Sequence, residues 1–224
     1  MTTRDQMLHS LMTSTMNRRR LMLNAGIAVG GLAAMGTAGA AVAQSMDATP
    51  AGDMGGMTFE TPVDVLNYAL TLEHLEAAFY RDGLATIGVD GITALGFQAS
   101  VFDSLSEIAA HEKAHVDTLT QVIGQLGGEP VAEMTYDFGY SDAAGFLQVA
   151  QALEDTGVSA YQGAAQYLID EDELLTAALT IHGVEARHAT YLGLLNATSP
   201  FPDATNPTLT PEEVLEIATP FIVQ

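Results

Sequence analysis

The sequence predicts an all-α protein, an antiparallel four-helix bundle followed by a short C-terminal helix. Within its 224 residues, apolar side chains recur at steps of three and four in four long stretches, which is the pattern of helices with one buried face. Glycine, proline and helix-capping residues separate these stretches. The sequence shows no convincing strand alternation, so the packing of four amphipathic helices is the expected architecture.

The first helix is predicted to begin at Thr61 and Pro62, because threonine caps helix N-termini and proline suits the first helical position. Gly83 is expected to end this helix. A glycine-rich segment then leads to about Phe97.

The remaining elements follow from similar signals. Gly127 and Gly128 are expected to stop the second helix, and the aromatic segment 129–141 to form a packed connection. Thr210 and Glu213 form a capping box that starts the tail helix. The predicted helices after the first run from about 99 to 126, from 141 or 142 onward, from about 171 to 195, and from 211 to about 218.

The chain begins with the pattern of an export signal. Arg18, Arg19 and Arg20 precede an apolar run that ends in Ala41-Val42-Ala43. A basic segment, an apolar segment and a small-x-small site together predict a secretory signal. The paired arginines indicate the twin-arginine type, with a periplasmic or extracellular destination.

This pattern divides the chain into a signal peptide (1–43), a flexible linker (44–60) and a helical domain (61–224). The sequence leaves open whether the signal is cleaved or kept as a membrane anchor. It also leaves open whether translation starts at Met1 or at Met16.

The composition excludes several classes of partner and site. The chain has 28 acidic and 7 basic side chains, a net charge of −21, so its surface repels nucleic acid. It contains no cysteine, which excludes a disulfide framework, a cysteine nucleophile, a zinc–thiolate site and an iron–sulfur cluster.

Six polar side chains interrupt the apolar stripes of the four predicted helices. Buried ionised carboxylates are costly unless they are paired or bound to a metal, and four of them in one layer of a bundle would repel one another strongly. Two divalent cations would remove this repulsion. The six residues are Glu73 on the first helix, Glu112 and His115 on the second, Glu154 on the third, and Glu185 and His188 on the fourth.

These residues also follow an order along the chain. The second and fourth helices each carry Glu-x-x-His, which places both side chains on one helix face, while the first and third each carry a glutamate followed seven residues later by a tyrosine. Single glutamates on two helices and Glu-x-x-His on the other two are the ligand pattern of di-iron and di-manganese bundles. The sequence thus predicts two Fe or Mn ions, because carboxylate and imidazole serve both metals. Glu112 and Glu185 are expected to bridge the ions, His115 and His188 to bind one ion each, and Glu73 and Glu154 to cap the ends.

Five further residues lie near the predicted ligands. Glu76, three residues after the glutamate of the first helix, either replaces or supplements that glutamate. Tyr80 and Tyr161 either hydrogen-bond a ligand carboxylate across the bundle or only pack in the core. His111 and His182 either orient the ligands from behind or are ordinary histidines of the helix surface.

The motifs resemble those of a known family. They are Thr61–Tyr80, the two Glu-x-x-His helices, Tyr136-Asp-Phe-Gly, Leu153–Tyr161, Val184–Tyr191 and Leu209–Ile222. All are similar to the ferritin-like domain family, and in particular to exported bacterial ferritin-like proteins and plant desiccation-related proteins. The resemblance covers about residues 60–222 and implies a ferritin-like bundle with the same six residues as metal ligands.

Two functions remain open from the sequence. A redox metal centre would act on O2 or peroxide, as a peroxidase, a ferroxidase or a manganese catalase-like enzyme. A non-enzymatic envelope protein for stress or desiccation would use the fold structurally. Metal ions, with O2 or peroxide, are the expected partners, and assembly into a homo-oligomer is left open.

Overall fold

A computed structural model describes residues 59–223 as a helical bundle with a short tail helix. Two short 3-10 turns follow the third and fifth helices, and a two-stranded antiparallel ladder pairs β1 (Thr135–Tyr136) with β2 (Ile222–Val223). The all-α fold predicted from the sequence is confirmed. The helices are α1 (Pro62–Ala94), α2 (Ala99–Gln125), α3 (Ala143–Ala164), α4 (Asp172–Leu195) and α5 (Pro211–Ala218).

The predicted signal peptide and nearly all of the predicted linker lie outside the described residues, so both stay predictions. Between residues 59 and 223, none of the helices combines the length and the apolar character that crossing a membrane requires.

The helices pack as two pairs, α1 along α2 and α3 along α4. Contacts between α1 and α3 join the pairs, and α5 packs on α3 and α1. At one end of the core Phe79 stacks on Phe146, with ring centroids 4.7 Å apart, and Phe138 from the connection between α2 and α3 meets Phe79 edge-on at 5.0 Å. The packed aromatic connection predicted for residues 129–141 is therefore confirmed.

The helix starts agree with the predictions. The Thr61 side chain accepts a hydrogen bond from the Asp64 amide while the Asp64 carboxylate accepts one from the Thr61 amide. Thr210 and Glu213 form the same reciprocal pair at α5, and Asp142 caps α3. Each cap satisfies amide groups that have no partner within the helix, which contributes about 1 kcal/mol.

The predicted end of the first helix at Gly83 is wrong. The helix continues to Ala94 with a kink at Gly88, where φ is 62°, so the glycine-rich connection to α2 is largely helical. Gly83 lies against the Phe146 ring and the Tyr140 hydroxyl, and a Cβ there would collide with the ring. The glycine thus allows close packing between helices, and the backbone break comes five residues later, where positive φ requires glycine.

Candidate metal centre

The six side chains predicted from the sequence meet at one level of the bundle core. On α2 the residues Leu105, Ile108, Glu112, His115 and Leu119 are buried at successive steps of three and four, so the periodicity that buries leucine also buries the candidate ligands. The glutamates Glu73, Glu112, Glu154 and Glu185 are 0% exposed, and His115 and His188 are 8% and 5% exposed.

Two clusters of four potential ligands form within this layer, and they share two glutamates. In each cluster, one oxygen or nitrogen atom per residue lies within 4.8 Å of the others. Two carboxylates that belong to neighbouring ligand sets provide what a bridged two-metal site needs. The first cluster is Glu73, Glu112, His115 and Glu185, and the second is Glu112, Glu154, Glu185 and His188.

Both histidines turn the same ring nitrogen toward the carboxylates. His115 Nδ1 lies 3.1 Å from Glu73 Oε2 and 3.1 Å from Glu112 Oε2. His188 Nδ1 lies 2.9 Å from Glu112 Oε1 and 3.2 Å from Glu154 Oε2. His115 Nδ1 also lies 3.2 Å from Glu185 Oε1. His115 therefore faces both shared glutamates and one unshared glutamate, while His188 faces one of each kind.

Two tyrosines hold the unshared glutamates across the bundle. The Tyr161 hydroxyl donates to Glu73 Oε1 at 2.5 Å, and the Tyr80 hydroxyl donates to Glu154 Oε1 at 2.6 Å. In both carboxylates Oε1 is held by a tyrosine while Oε2 faces a histidine. Of the two alternatives that the sequence left open for these tyrosines, hydrogen bonding across the bundle is the one that the structure shows. A buried hydrogen bond to a charged acceptor contributes about 1.5–3 kcal/mol.

The two outlying histidines have different surroundings. His111 Nδ1 lies 3.0 Å from His188 Nε2, and the two rings stack with centroids 5.2 Å apart. Burial, and then the neighbouring His188, lowers the pKa of His111 to about 4. With Nδ1 bound to a metal ion, His188 would carry its proton on Nε2 and donate it to the neutral His111 ring, which would fix the orientation of His188.

His182 is not brought to this centre. It is half-buried, and its Nε2 is enclosed without a hydrogen-bonding partner in the described part of the chain. The alternative that His182 orients a ligand finds no contact in the structure.

Glu76 is a fifth buried carboxyl beside the six residues. Its side chain is 3% exposed. Burial, followed by repulsion from Glu185 and the other glutamates, raises its pKa well above the usual range. Glu73 makes the contacts with His115 and Tyr161 and belongs to a ligand cluster, whereas Glu76 belongs to neither cluster. This favours Glu73 over Glu76 as the ligand from α1.

Gly157 is the residue that sequence reasoning missed. An ideal Cβ at this position would lie 3.1 Å from Glu76 Oε1 and 3.2 Å from Glu185 Oε2. The absent side chain therefore leaves the space in which two carboxylates lie against α3. The sequence feature that could have identified it is a glycine on the buried face of the helix, three residues after Glu154.

The layer carries more negative charge than its own contacts compensate. Burial, and then repulsion from Glu154, raises the pKa of Glu112 to about 7. Burial and repulsion from Glu112 raise the pKa of Glu185 well above its usual range. Burial alone would lower the pKa of His188, but its contacts with Glu112 and Glu154 raise it to about 9.

The two shared glutamates also have buried oxygens without hydrogen bonds. No well-aligned hydrogen bond in residues 59–223 reaches Glu112 Oε1 or either oxygen of Glu185. Glu112 Oε1 lies 2.9 Å from His188 Nδ1, and Glu185 Oε1 lies 3.2 Å from His115 Nδ1. Buried carboxylate oxygens without donors cost free energy. The donor set of four carboxylates and two imidazoles therefore fits two divalent cations, whose charge would balance the four carboxylates.

Comparison with known proteins agrees with this geometry. A sequence profile described as ferritin-like domain matches residues 61–197. The chain belongs to the ferritin-like domain family. The matched region of this ferritin-like chain contains α1 to α4 and all six candidate ligands, while α5 lies beyond it. None of the curated proteins matches the chain significantly.

Two solved structures are similar to this ferritin-like chain. One is described as a ferritin-like, diiron-carboxylate protein from Bacillus anthracis strain Ames. It has 20% sequence identity and a TM-score of 0.52, over 60% of this chain and 94% of that chain. The other is a conserved hypothetical protein from Mycobacterium tuberculosis, with 19% identity and a TM-score of 0.49, over 63% and 94%. The first of these comparisons shows a shared ferritin-like fold.

Proposed function

We propose that this chain is an exported ferritin-like protein that holds two Fe or Mn ions and uses them in oxidation chemistry, either removing peroxide or oxidising Fe(II). The observation that carries the proposal is the pair of ligand clusters that share Glu112 and Glu185. The oxygens of these two glutamates that lack hydrogen-bond donors would accept the cations.

The residues divide into two positions. Glu73 and His115 would hold one ion, Glu154 and His188 the other, and the shared glutamates would contact both. Oxygen and imidazole ligands suit Fe and Mn better than softer metals. When bound, such ions supply a reversible change of oxidation state beside a site that a small oxidant can occupy.

The chain's own side chains prepare the positions for the ions. The tyrosine hydroxyls hold Oε1 of Glu73 and of Glu154, so that Oε2 of each stays directed at the centre. His111 holds His188 from behind. Because the six residues are almost completely enclosed, bulk water is kept from the centre, which strengthens the electrostatic interactions within it.

The description of the Bacillus anthracis structure as a diiron-carboxylate protein agrees with the metal content that we propose here from this chain's residues.

Elemental analysis of the protein purified after export tests the metal content. Two Fe or Mn ions per chain are expected in the natural sequence, and none in Glu112→Gln, which removes a ligand from both clusters. Glu107→Gln is the matched control, because Glu107 lies on the same helix but is exposed. A natural protein without Fe or Mn would refute the proposal.

The reaction is tested on the same sample. Consumption of peroxide or oxidation of added Fe(II), lost together with the ions in Glu112→Gln, supports an oxidoreductase. Two bound ions with neither reactant consumed would instead favour the non-enzymatic envelope role.

Export is tested separately. Replacement of Arg18 and Arg19 by Lys is expected to keep the protein inside the cell, because twin-arginine signals depend on the arginine pair. Unchanged export of this double variant would remove the localisation from the proposal and leave the metal centre untouched.

A further inference from the structure

The metal centre is enclosed, so a reactant must reach it through the protein. The six candidate ligands are at most 8% exposed. A cleft between α1, α3 and α5 leads toward them, and Glu76 and Gly157 are among its lining residues. Since both of these residues also border the centre, the cleft ends beside the carboxylate layer.

Gly157 lies in the wall between the cleft and the centre. An ideal Cβ there would lie 3.1 Å from Oε1 of Glu76, a residue that also lines the cleft, and 3.2 Å from Oε2 of Glu185, a residue of both ligand clusters. The α-carbon of one glycine is therefore all that α3 places beside these two carboxylates.

The chemistry of the walls selects the kind of molecule that the cleft admits. Leu72, Leu75, Leu153, Ile217 and Ala218 are apolar, and the polar lining residues are Thr156 and, at the inner end, Glu76. A divalent cation would lose most of its hydration shell against such walls, at a cost of many kcal/mol. A small neutral molecule loses little, so the cleft does not suit the passage of metal ions.

The size of the cleft also favours a small molecule. Its cavity volume is about 10 Å³, which is close to the smallest volume that holds one water molecule and far below the roughly 300–1,000 Å³ of sites for drug-sized ligands. At its mouth Ile217, on the short helix α5, is 38% exposed. The cleft is thus suited to molecules of a few atoms.

We propose that this cleft is the binding and access site for the small neutral oxidant, O2 or H2O2, of the metal centre. The proposal rests on the function proposed above. It assigns Ile217 to the mouth of the route and Gly157 to its inner end, beside the shared Glu185.

The first test does not depend on bound metal. Crystals of the protein pressurised with xenon, an apolar gas that enters apolar cavities, are expected to show a xenon atom between Leu72, Leu153 and Ile217. In Ile217→Trp crystals this atom is expected to be absent, because the indole fills the mouth. A natural protein with no xenon in the cleft would overturn the proposal.

The second test measures access in the Fe(II)-loaded protein. Nitric oxide, a neutral diatomic probe, is mixed with the protein and its binding is followed by absorbance. Ile217→Trp is expected to slow binding about ten-fold, which is an increase of about 1.4 kcal/mol in the barrier. The rates of reaction with O2 and with H2O2 are then measured in the natural protein and in Ile217→Trp. The oxidant whose rate falls together with the rate of nitric oxide binding is the one that uses the route.

Ile169→Trp is the matched control. Ile169 is 66% exposed and does not line the cleft, and the chain contains no tryptophan, so both variants add one indole at the surface. Two bound ions together with equal rates in both variants would overturn the access route while leaving the metal centre intact. An absence of ions would refute the proposed function, and the xenon result would then still decide whether the cleft takes up apolar molecules.

Discussion

The α1–α2 pair and the α3–α4 pair carry equivalent ligands in different surroundings. Each pair supplies one single glutamate, one Glu-x-x-His and one tyrosine that donates to the other pair's glutamate. Three residues after its single glutamate, however, α1 has Glu76 where α3 has Gly157. The additional carboxyl of one pair therefore lies in the space that the glycine of the other pair leaves open.

A second difference concerns the histidines. His188 is held from behind by His111, whereas the position on α4 that corresponds to His111 is Val184. The ligand set is thus nearly two-fold symmetric, but its surroundings are not. We infer that the two ion positions differ in affinity.

Among the changes that test the difference between the two ion positions, removal of a ligand is expected to have the largest effect on metal content and stability. Glu73→Gln and Glu154→Gln should each leave one ion per chain, because each removes a ligand from one cluster, while Glu185→Gln should leave none. Loss of one ion at a free concentration of about 100 Kd removes about 2.7 kcal/mol, which lowers Tm by about 5–10 °C. Elemental analysis and calorimetry measure both quantities.

Glu216→Gln, at an exposed site on α5, is the control for these variants. If Glu73→Gln lost both ions, the two ion positions would not bind independently, and this result would contradict the inferred difference between them.

The pH dependence of the metal-free protein should be the next largest effect. Glu112 has its pKa raised from 4.5 to about 7, and His188 from 6.5 to about 9. In both cases the folded state keeps a proton that the unfolded chain has released, so stability falls as pH rises through each interval. Each interval spans about 2.5 pH units, so the loss over each is on the order of 3 kcal/mol. Urea unfolding of chelator-treated protein across this pH range measures it.

Histidine variants distinguish the contributions of His115 and His188 in this experiment. His188→Gln should remove one proton's share of the slope, and this share ends near pH 9. His115→Gln should remove a share that continues above pH 9, because burial opposes but Glu73 and the other carboxylates raise the pKa of His115 far above that of His188. The metal-loaded protein should gain stability with pH instead, since ligands must lose protons to bind. A metal-free protein that is more stable at alkaline pH would contradict the charge excess of the layer.

The crossed tyrosines provide a smaller and more symmetric effect. Tyr80→Phe and Tyr161→Phe each remove one hydrogen bond to a buried carboxylate, which should cost about 1.5–3 kcal/mol and weaken one ion about ten-fold. Tyr68→Phe is the control, because the Tyr68 hydroxyl is buried without a partner among the described residues, and its removal should be close to neutral. Metal titration and urea unfolding measure the three variants, and unequal losses at Tyr80 and Tyr161 would place the asymmetry in these bonds.

His111→Ala is expected to have the smallest effect. It should weaken binding of the ion beside His188 by about ten-fold and leave the other ion unchanged, as measured by competition with a chelator. His182→Ala should change neither ion, because the structure shows no contact between His182 and the centre. Equal weakening of both ions in His111→Ala would show that His111 acts on the whole layer.

The sequence predicted those parts of the site that depend on local geometry. Glu-x-x-His fixes two side chains on one face within a single helix turn, so His115 and His188 fall on the core stripes without knowledge of the tertiary structure. Contacts between segments that are distant in the sequence could not be predicted in the same way. Spacing alone did not decide whether Tyr80 pairs with a glutamate or only packs, and its partner Glu154 lies 74 residues away.

Glycine was the main source of error. At Gly83 a helix stop was predicted, yet the helix continues through this residue. The position requires glycine because the Phe146 ring occupies the place of a side chain. Gly157 went unassigned for a related reason, since the carboxylates beside it come from other helices. The two-residue strands at Thr135 and Ile222 are too short to show alternation. In each case the deciding atoms are far away in sequence.

The tail helix α5 lies outside the region that matches the ferritin-like profile, although it supplies Ile217 and Ala218 to the cleft. The ligands and the wall at the mouth of the cleft thus belong to separate parts of the chain. Evolution can exchange residues of this tail, or alter its connection to α4, without changing any residue that would hold a metal. With the function and access route proposed above, reaction rate and metal affinity would be independently adjustable traits of this chain.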